Sequence, residues 1–388
     1  MKRIKSLLVI SPGYPIKEDP VYTFVEQLCV AMANTGLELT IVSPQSLPKH
    51  LFRRTPKHPF RRVYNMKNGG KLSIYQPYYI SISGNEILSS KFFKKVVERT
   101  VNKLAIKPDA CYAHFWNTGF SIYDFCKKNS LPLIVATGEG YLAGHKKTFE
   151  QEGFIDYAHG VAGVVCVSTK NKQDSISLGL TTEDKCMVIP NATDNKLFCL
   201  KDKIQLREEY KIDPNSFIVS FVGSFDGRKG PDRVAKAISL LDEESIKSFF
   251  IGKLHANNPH VPICDGILYK GAVEHSKLPD YLNMSDVFVL PTQNEGCCNA
   301  IVEAVACGLP IVSSDRPFNY DILDETNSLL IDPDNVNEIA ESIKKLKKDE
   351  ALRNKLAEGS RRKAEELSIE HRAERIIGFI NESISYEN

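Results

Sequence analysis

The sequence predicts an α/β protein built of two doubly wound domains, each a parallel sheet covered by helices. Three observations carry this. Apolar runs of strand length alternate with stretches whose apolar residues recur at helical spacing, the pattern of parallel strands joined by crossover helices. The alternation runs twice, with a pause near Asn191–Leu200. The chain has 388 residues, 42% of them hydrophobic, enough for two cores at roughly 100–200 residues each.

In the first series the strands are expected near Ser6–Ile10, Leu39–Ser43, Asp109–Ala113, Leu133–Thr137, Gly163–Val167 and Lys185–Ile189. Helical stretches lie between them, such as Val21–Asn34, where Val25, Leu28, Cys29 and Met32 fall on one face, and Lys91–Leu104. The second series places strands near Phe217–Val222, Lys247–Ile251, Ile267–Gly271, Val287–Leu290, Pro310–Ser313 and Leu329–Ile331, followed by a charged helical tail from Asn335. The domains are expected to span 1–195 and 196–369.

Composition excludes several classes. Ten cysteines without framework spacing exclude a disulfide scaffold. No apolar run reaches the 18 residues or so that a spanning helix needs. The apolar run in MKRIKSLLVISPGYP is shorter than the roughly 7–15 residues of a secretory signal, so the protein is expected in the cytoplasm with reduced thiols. The net charge of +2 hides an asymmetry: residues 1–195 hold 25 Lys/Arg against 16 Asp/Glu, and residues 196–388 hold 25 against 32. No acidic residue lies between Leu39 and Asn85, a stretch that carries Lys49, Arg53, Arg54, Lys57, Arg61, Arg62, Lys67 and Lys71 interleaved with Leu51, Phe52, Phe60 and Tyr64. Such a segment suits an anionic membrane surface or an anionic substrate, or it is a solvated loop. No nucleic-acid motif accompanies it.

The strongest chemical signal runs from Ser285 to Pro310. A buried strand ends at Pro291, a polar loop follows, Asn299 opens a helix and Gly308 closes it. Glu295 lies in the loop and Glu303 on the helix. Loop amides and a helix N-terminus make an anion site, and carboxylates beside it accept hydrogen bonds from sugar hydroxyls. A second anion site is expected at Phe221-Val-Gly-Ser-Phe-Asp-Gly-Arg-Lys-Gly230, where Gly223 follows a strand and Arg228 and Lys229 sit just ahead of a helix. Cations are unfavourable at a helix start unless an anion joins them.

The pattern Asn294-Glu-Gly-x-x-Asn-Ala-x-x-Glu-Ala-x-Ala-x-Gly-x-Pro310 resembles the donor-binding signature of glycosyltransferase family 4. The resemblance is strongest over Phe217–Ser314. It implies the GT-B fold, two Rossmann-like domains facing a central cleft, with a last helix, 370–388, crossing back to the first domain. It implies a retaining enzyme that binds a nucleotide-diphosphate sugar, UDP-sugars being the commonest donors. Glu295 then contacts the donor sugar, Glu303 the ribose, Cys298, Asn299 and Ala300 the diphosphate through their amides, and Lys229, with Arg228, its phosphates. Relatives often carry an Arg where this chain has Ser224. No metal is implied, because the fold uses no Asp-x-Asp; Asp332-Pro-Asp follows a different strand.

The first half should then hold the acceptor, a sugar or lipid-linked saccharide. Gly13, after the first strand, lets backbone approach a ligand. His114 ends another strand beside the one tryptophan, Trp116. Glu139 stands where many relatives have a catalytic-site His; a carboxylate there can stabilise an oxocarbenium-like centre or accept the acceptor's proton. His114, Glu139 and Glu295 are therefore the catalytic candidates. The expected activity is sugar transfer in surface polysaccharide assembly, at the inner face of the membrane. A nucleotide-sugar epimerase of the same fold and a non-catalytic nucleotide-sugar-binding protein are the alternatives. A nicotinamide-dependent dehydrogenase is disfavoured, since no G-x-G-x-x-G follows the first strand.

Overall fold

The computed structural model describes residues 3–19, 21–53, 55–145, 149–150, 152–256 and 258–385. The chain divides into two compact units, Met1–Ile189 with Ile369–Asn388, and Pro190–Ser368. The division at Ile189/Pro190 falls earlier than the sequence pause suggested, because Asn191 and Thr193 already hydrogen-bond within the second unit.

The first unit is built on β1 (Ser6–Ile10), β2 (Glu38–Val42), β3 (Gln45–Ser46), β4 (Arg61–Asn65), β5 (Lys71–Tyr75), β6 (Tyr78–Tyr79), β7 (Ala110–His114), β8 (Leu133–Thr137), β9 (Gly163–Cys166) and β10 (Cys186–Val188). Eight of these form one sheet in the order β10-β9-β8-β7-β1-β2-β5-β4, and β3 pairs with β6. All neighbours in the large sheet are parallel except β4 and β5. The central strands β7 and β8 are buried at every position, which is why they read as unbroken apolar runs rather than alternating ones. Chain order reverses between β1 and β7, the switch point at which such sheets bind ligands beyond the strands' carboxyl ends. Its helices include α1 (Thr23–Asn34), α2 (Leu47–Arg53), α3 (Glu86–Leu104) and α4 (Trp116–Lys128).

The basic segment is structured where the solvated-loop reading had none. It folds as α2 and the antiparallel pair β4–β5, in register Arg61↔Tyr75 to Asn65↔Lys71. Its member Arg54 lies outside the described residues. Arg62 reaches inward to the Pro15 carbonyl at 3.0 Å and the Gln76 amide oxygen at 2.7 Å. Leu51, Phe52 and Phe60 stay exposed, Phe52 at 84%.

The second unit is built on β11 (Phe217–Val222), β12 (Ile246–Ile251), β13 (Ile267–Gly271), β14 (Val287–Leu290), β15 (Ile311–Ser314) and β16 (Ser328–Ile331). They form one parallel sheet in the order β13-β12-β11-β14-β15-β16, whose order reverses between β11 and β14. Helix α5 (Pro231–Leu241) follows β11, and α6 (Asn299–Ala306) follows β14, so both helices begin beside the switch point. The chain returns to the first unit as α7 (Ile369–Ser385). There Asn381 accepts the Ile4 amide at 2.9 Å, and Arg375 donates to the Val188 carbonyl at 2.9 Å. Among the described residues no helix is long and apolar enough to cross a membrane.

Candidate functional site

In the second unit the loop after β11 is shaped by its own side chains. Asp226 accepts the Lys229 amide at 2.8 Å and the Ser224 hydroxyl. Gly230 has φ 72°, a left-handed conformation that glycine adopts at little cost, and a side chain there would collide with Arg233. Arg233 fastens the loop by donating to the Gly227 and Pro291 carbonyls, both at 2.7 Å. Pro231 then opens α5. This scaffold aims Lys229 across the switch point at the loop after β14.

There Lys229 Nζ lies 2.7 Å from Glu295 Oε1 and 3.5 Å from Cys298 Sγ. Arg228 pairs with the same Glu295 oxygen and donates to the Asn294 carbonyl at 2.8 Å. Thr292, fully buried, donates to Glu295 at 2.9 Å. Burial alone would raise the Glu295 carboxyl, but Lys229 and then Arg228 outweigh it and hold it below its usual value. Burial likewise works against the Lys229 ammonium, and Cys298 and Glu295 beside it carry it above its usual value. Both groups are therefore charged at neutral pH. Gly223 lies under the Lys229 stem: a Cβ there would rest 3.4 Å from Cδ.

Cys298 is the N-cap of α6. Burial pushes its thiol up. The first-turn amides of α6, at Asn299 and Ala300, project from the helix end, where partial positive charge accumulates. Asn191 steadies this turn from the connecting segment, donating to the Asn299 side-chain oxygen at 2.8 Å and to the Cys297 carbonyl at 3.1 Å. Further along α6, Glu303 accepts from His275 Nε2 at 2.8 Å. That bond raises the His275 pKa against the opposing effect of burial. Arg228, Lys229, Glu295, Cys298 and the start of α6 thus form one group, with Gly223 beneath it and Glu303 on the same helix. Sequence reasoning missed Asp226, Thr292, Arg233, Asn191 and His275. The loop spacing Thr292-x-x-Glu295 was a usable signal, and His275 follows the end of β13.

The first-unit candidates form a second group. His114 is 4% exposed, edge-on to Tyr112 and Phe24 at ring distances of 5.2 and 6.1 Å. Burial, with Arg372 adding to it, lowers its pKa to about 3, so the ring is neutral. Its Nε2 is buried without a hydrogen-bond partner. Glu139 accepts the Trp116 amide at 3.1 Å, the Thr137 hydroxyl at 2.7 Å and the Gly138 amide at 2.9 Å. Its carboxylate thus closes the N-terminus of α4, and three of its roughly four lone-pair sites are taken. The close approach that Gly13 permits is made by the chain itself. A Cβ there would fall on the Tyr22 ring, so that ring fills the space read from the sequence as open to a ligand. Tyr22 has φ 59° and Phe115 φ 73°, and the two rings meet at 6.4 Å. Among the described residues no three His, Cys, Asp or Glu side chains are grouped as metal ligands would be.

Two doubly wound units, with paired cations facing a helix N-terminus at the switch point of the second, give an architecture able to hold an anionic ligand in the second unit. The comparisons make this specific. Residues 202–363 match the family model Glycosyl transferases group 1, the fold is GT-B, and the match together with the relatives below supports a glycosyltransferase enzyme. It is similar to TuaC of Bacillus subtilis (strain 168), named for glycosyl transfer in teichuronic acid biosynthesis, at 24% identity over 91% of this chain and 92% of that one. It is 28% identical, over 85% of this chain and 93% of the other, to the UDP-Gal:alpha-D-GlcNAc-diphosphoundecaprenol alpha-1,3-galactosyltransferase of Escherichia coli. A D-inositol 3-phosphate glycosyltransferase of Paenarthrobacter aurescens (strain TC1) is 22% identical over 93% of this chain and 92% of that one. Among solved structures, the sucrose-phosphate synthase of Thermosynechococcus elongatus superposes with a TM-score of 0.78 at 16% identity, covering 99% of this chain and 100% of that one.

Proposed function

We propose that the protein transfers a sugar, with retention of anomeric configuration, from a UDP-sugar to a saccharide acceptor in the assembly of a surface polysaccharide. The second unit, 190–368, holds the donor, and the first unit holds the acceptor. The observation that carries this is the convergence of Lys229 and Arg228 on Glu295 beside Cys298, the N-cap of α6. A diphosphate at that point meets two cations and the amides of Asn299 and Ala300. These groups stabilise the negative charge that grows on the leaving diphosphate, the work a divalent cation performs elsewhere. In this reading Glu303 accepts from ribose hydroxyls and Glu295 from the transferred sugar.

The UDP-sugar preference and the saccharide acceptor follow the E. coli galactosyltransferase, whose name carries both, and the polysaccharide setting follows TuaC. Exposed Leu51, Phe52 and Phe60 among the cations of 49–71 suit contact with an anionic membrane, where a lipid-linked acceptor would reside. Glu139 orients α4 and keeps one lone-pair site for an acceptor hydroxyl. His114, neutral and enclosed, contributes shape rather than proton transfer.

The test is calorimetric titration of UDP and UDP-sugars against the wild type, Lys229→Ala and Glu303→Ala, with transfer assayed in parallel. Loss of binding by both variants, with the fold retained by circular dichroism, supports the reading. Full binding and transfer in both variants would remove it.

A further inference from the structure

The first unit carries a cavity of about 500 Å³ that none of the donor groups touches. It lies at the switch point of the large sheet. Pro12 lines it from the turn after β1, Asn117 from the first turn of α4 after β7, and Asn85 and Glu86 from the start of α3. Tyr79 and Phe93 form its apolar wall, edge-to-face at 5.3 Å. The volume is within the roughly 300–1,000 Å³ usual for small-molecule sites. Amides and hydroxyls beside an aromatic wall suit a sugar, whose hydroxyls seek the first and whose C–H faces pack on the second.

The charges decide which kind of sugar. Two helices, α3 and α4, start at this cavity, and a bare helix N-terminus attracts anions. Both starts are already met by the chain's own carboxylates. Glu86 stands in the first turn of α3, whose Leu88 amide is also capped by the Asn85 side chain at 3.0 Å. Glu139 accepts the Trp116 amide that opens α4. Among the described residues the lining contains no Lys, Arg or His. Lys94, two turns along α3, is committed to Asp124. A phosphate placed here would face Glu86 with no cation in the lining to offset it, and the amide that opens α4 is already taken by Glu139.

We infer that this cavity binds an uncharged saccharide unit of the acceptor and rejects a phosphorylated polyol. The inference rests on the reading of the chain as a sugar transferase and narrows its acceptor. It separates this protein from its similarity to the D-inositol 3-phosphate glycosyltransferase, whose named acceptor carries a phosphate.

The experiment is saturation-transfer NMR on the full chain. The probes are the methyl glycosides of glucose, galactose, mannose and N-acetylglucosamine, with D-inositol 3-phosphate as the charged probe and UDP titrated in parallel. At least one neutral glycoside is expected to bind wild type, and Asn117→Trp, which fills the cavity from an exposed position, is expected to abolish that signal. Glu86→Lys is expected to raise affinity for D-inositol 3-phosphate roughly tenfold or more, the scale of one added charge-assisted contact. Binding of D-inositol 3-phosphate by wild type overturns the inference. So does silence from every neutral glycoside, or a glycoside signal that survives Asn117→Trp. In all of these cases UDP binding is read separately: if UDP itself fails to bind wild type, the donor assignment is what falls.

Discussion

The Lys229 ammonium lies 2.7 Å from the Glu295 carboxylate, so without ligand the cation proposed to hold the diphosphate is already paired with a neighbouring carboxylate. A diphosphate has to share or displace that carboxylate. Glu295→Gln is therefore expected to bind UDP more tightly, by about tenfold, because Lys229 and Arg228 lose their internal partner. The same variant is expected to transfer sugar more slowly, since the side chain assigned to the sugar is altered. Calorimetry and turnover, measured together, check this; weaker UDP binding would contradict it.

Glu303 and His275 supply a pH-dependent contact. The His275 pKa is raised by Glu303, so its stabilising effect is complete below the unfolded value near 6.5 and is lost as pH rises past the raised folded value. Melting temperatures of wild type and His275→Gln are expected to differ near pH 6 and to converge on the alkaline side. A difference that grows with rising pH would reverse the assignment.

His114 acts in the opposite direction. Its pKa falls to about 3 on burial, so between that value and 6.5 the unfolded chain takes up a proton that the folded chain refuses. Stability is therefore eroded as pH drops below 6.5. His114→Phe keeps the ring packing against Tyr112 and Phe24 and removes the buried nitrogen without a partner. It is expected to be more stable than wild type by about 2 kcal/mol at a pH near 5, with little of that gain at pH 8. Chemical denaturation at the two pH values measures the difference.

Glu139 tests whether the first unit's carboxylate is structural or reactive. Glu139→Gln replaces one accepting oxygen by a donor that faces N–H and O–H groups. The cost is expected at about 1–3 kcal/mol of stability, the penalty for a hydrogen-bonded group left unpaired. If the residue also serves the acceptor, transfer falls further than the stability loss explains, while UDP binding stays unchanged.

The exposed apolar residues of α2 give the fifth expectation. Co-sedimentation with vesicles containing anionic lipid is expected for wild type and is expected to fall several-fold in Leu51→Glu/Phe52→Glu, and in wild type at high salt. Equal binding to neutral vesicles would point to an apolar contact without the cations.

Much of the second unit was readable because its parallel strands are buried on both faces and stand out as apolar runs, with the chemistry placed just after them. Asn299 and Gly308 bound α6 closely enough to locate Cys298 at its cap. The β4–β5 pair was missed for a physical reason. Arg61–Asn65 is an edge strand exposed at nearly every position, so it carries no apolar alternation and reads as a charged loop. Glu139 was found but its role was not, since its partner Trp116 is far along the chain and only the adjacency of β7 and β8 unites them. Gly13 misled because a glycine reports close approach without saying by what; here it is Tyr22.

The position of β4 has a consequence for solubility. A terminal strand offers unpaired amides and carbonyls to any other chain, and such borders seed aggregation unless they are guarded. Here the border carries Arg61, and its neighbour β5 begins at Lys71, so two copies approaching edge to edge would bring like charges together. Polyanions or concentrated salt would mask that repulsion and leave the border free to polymerise.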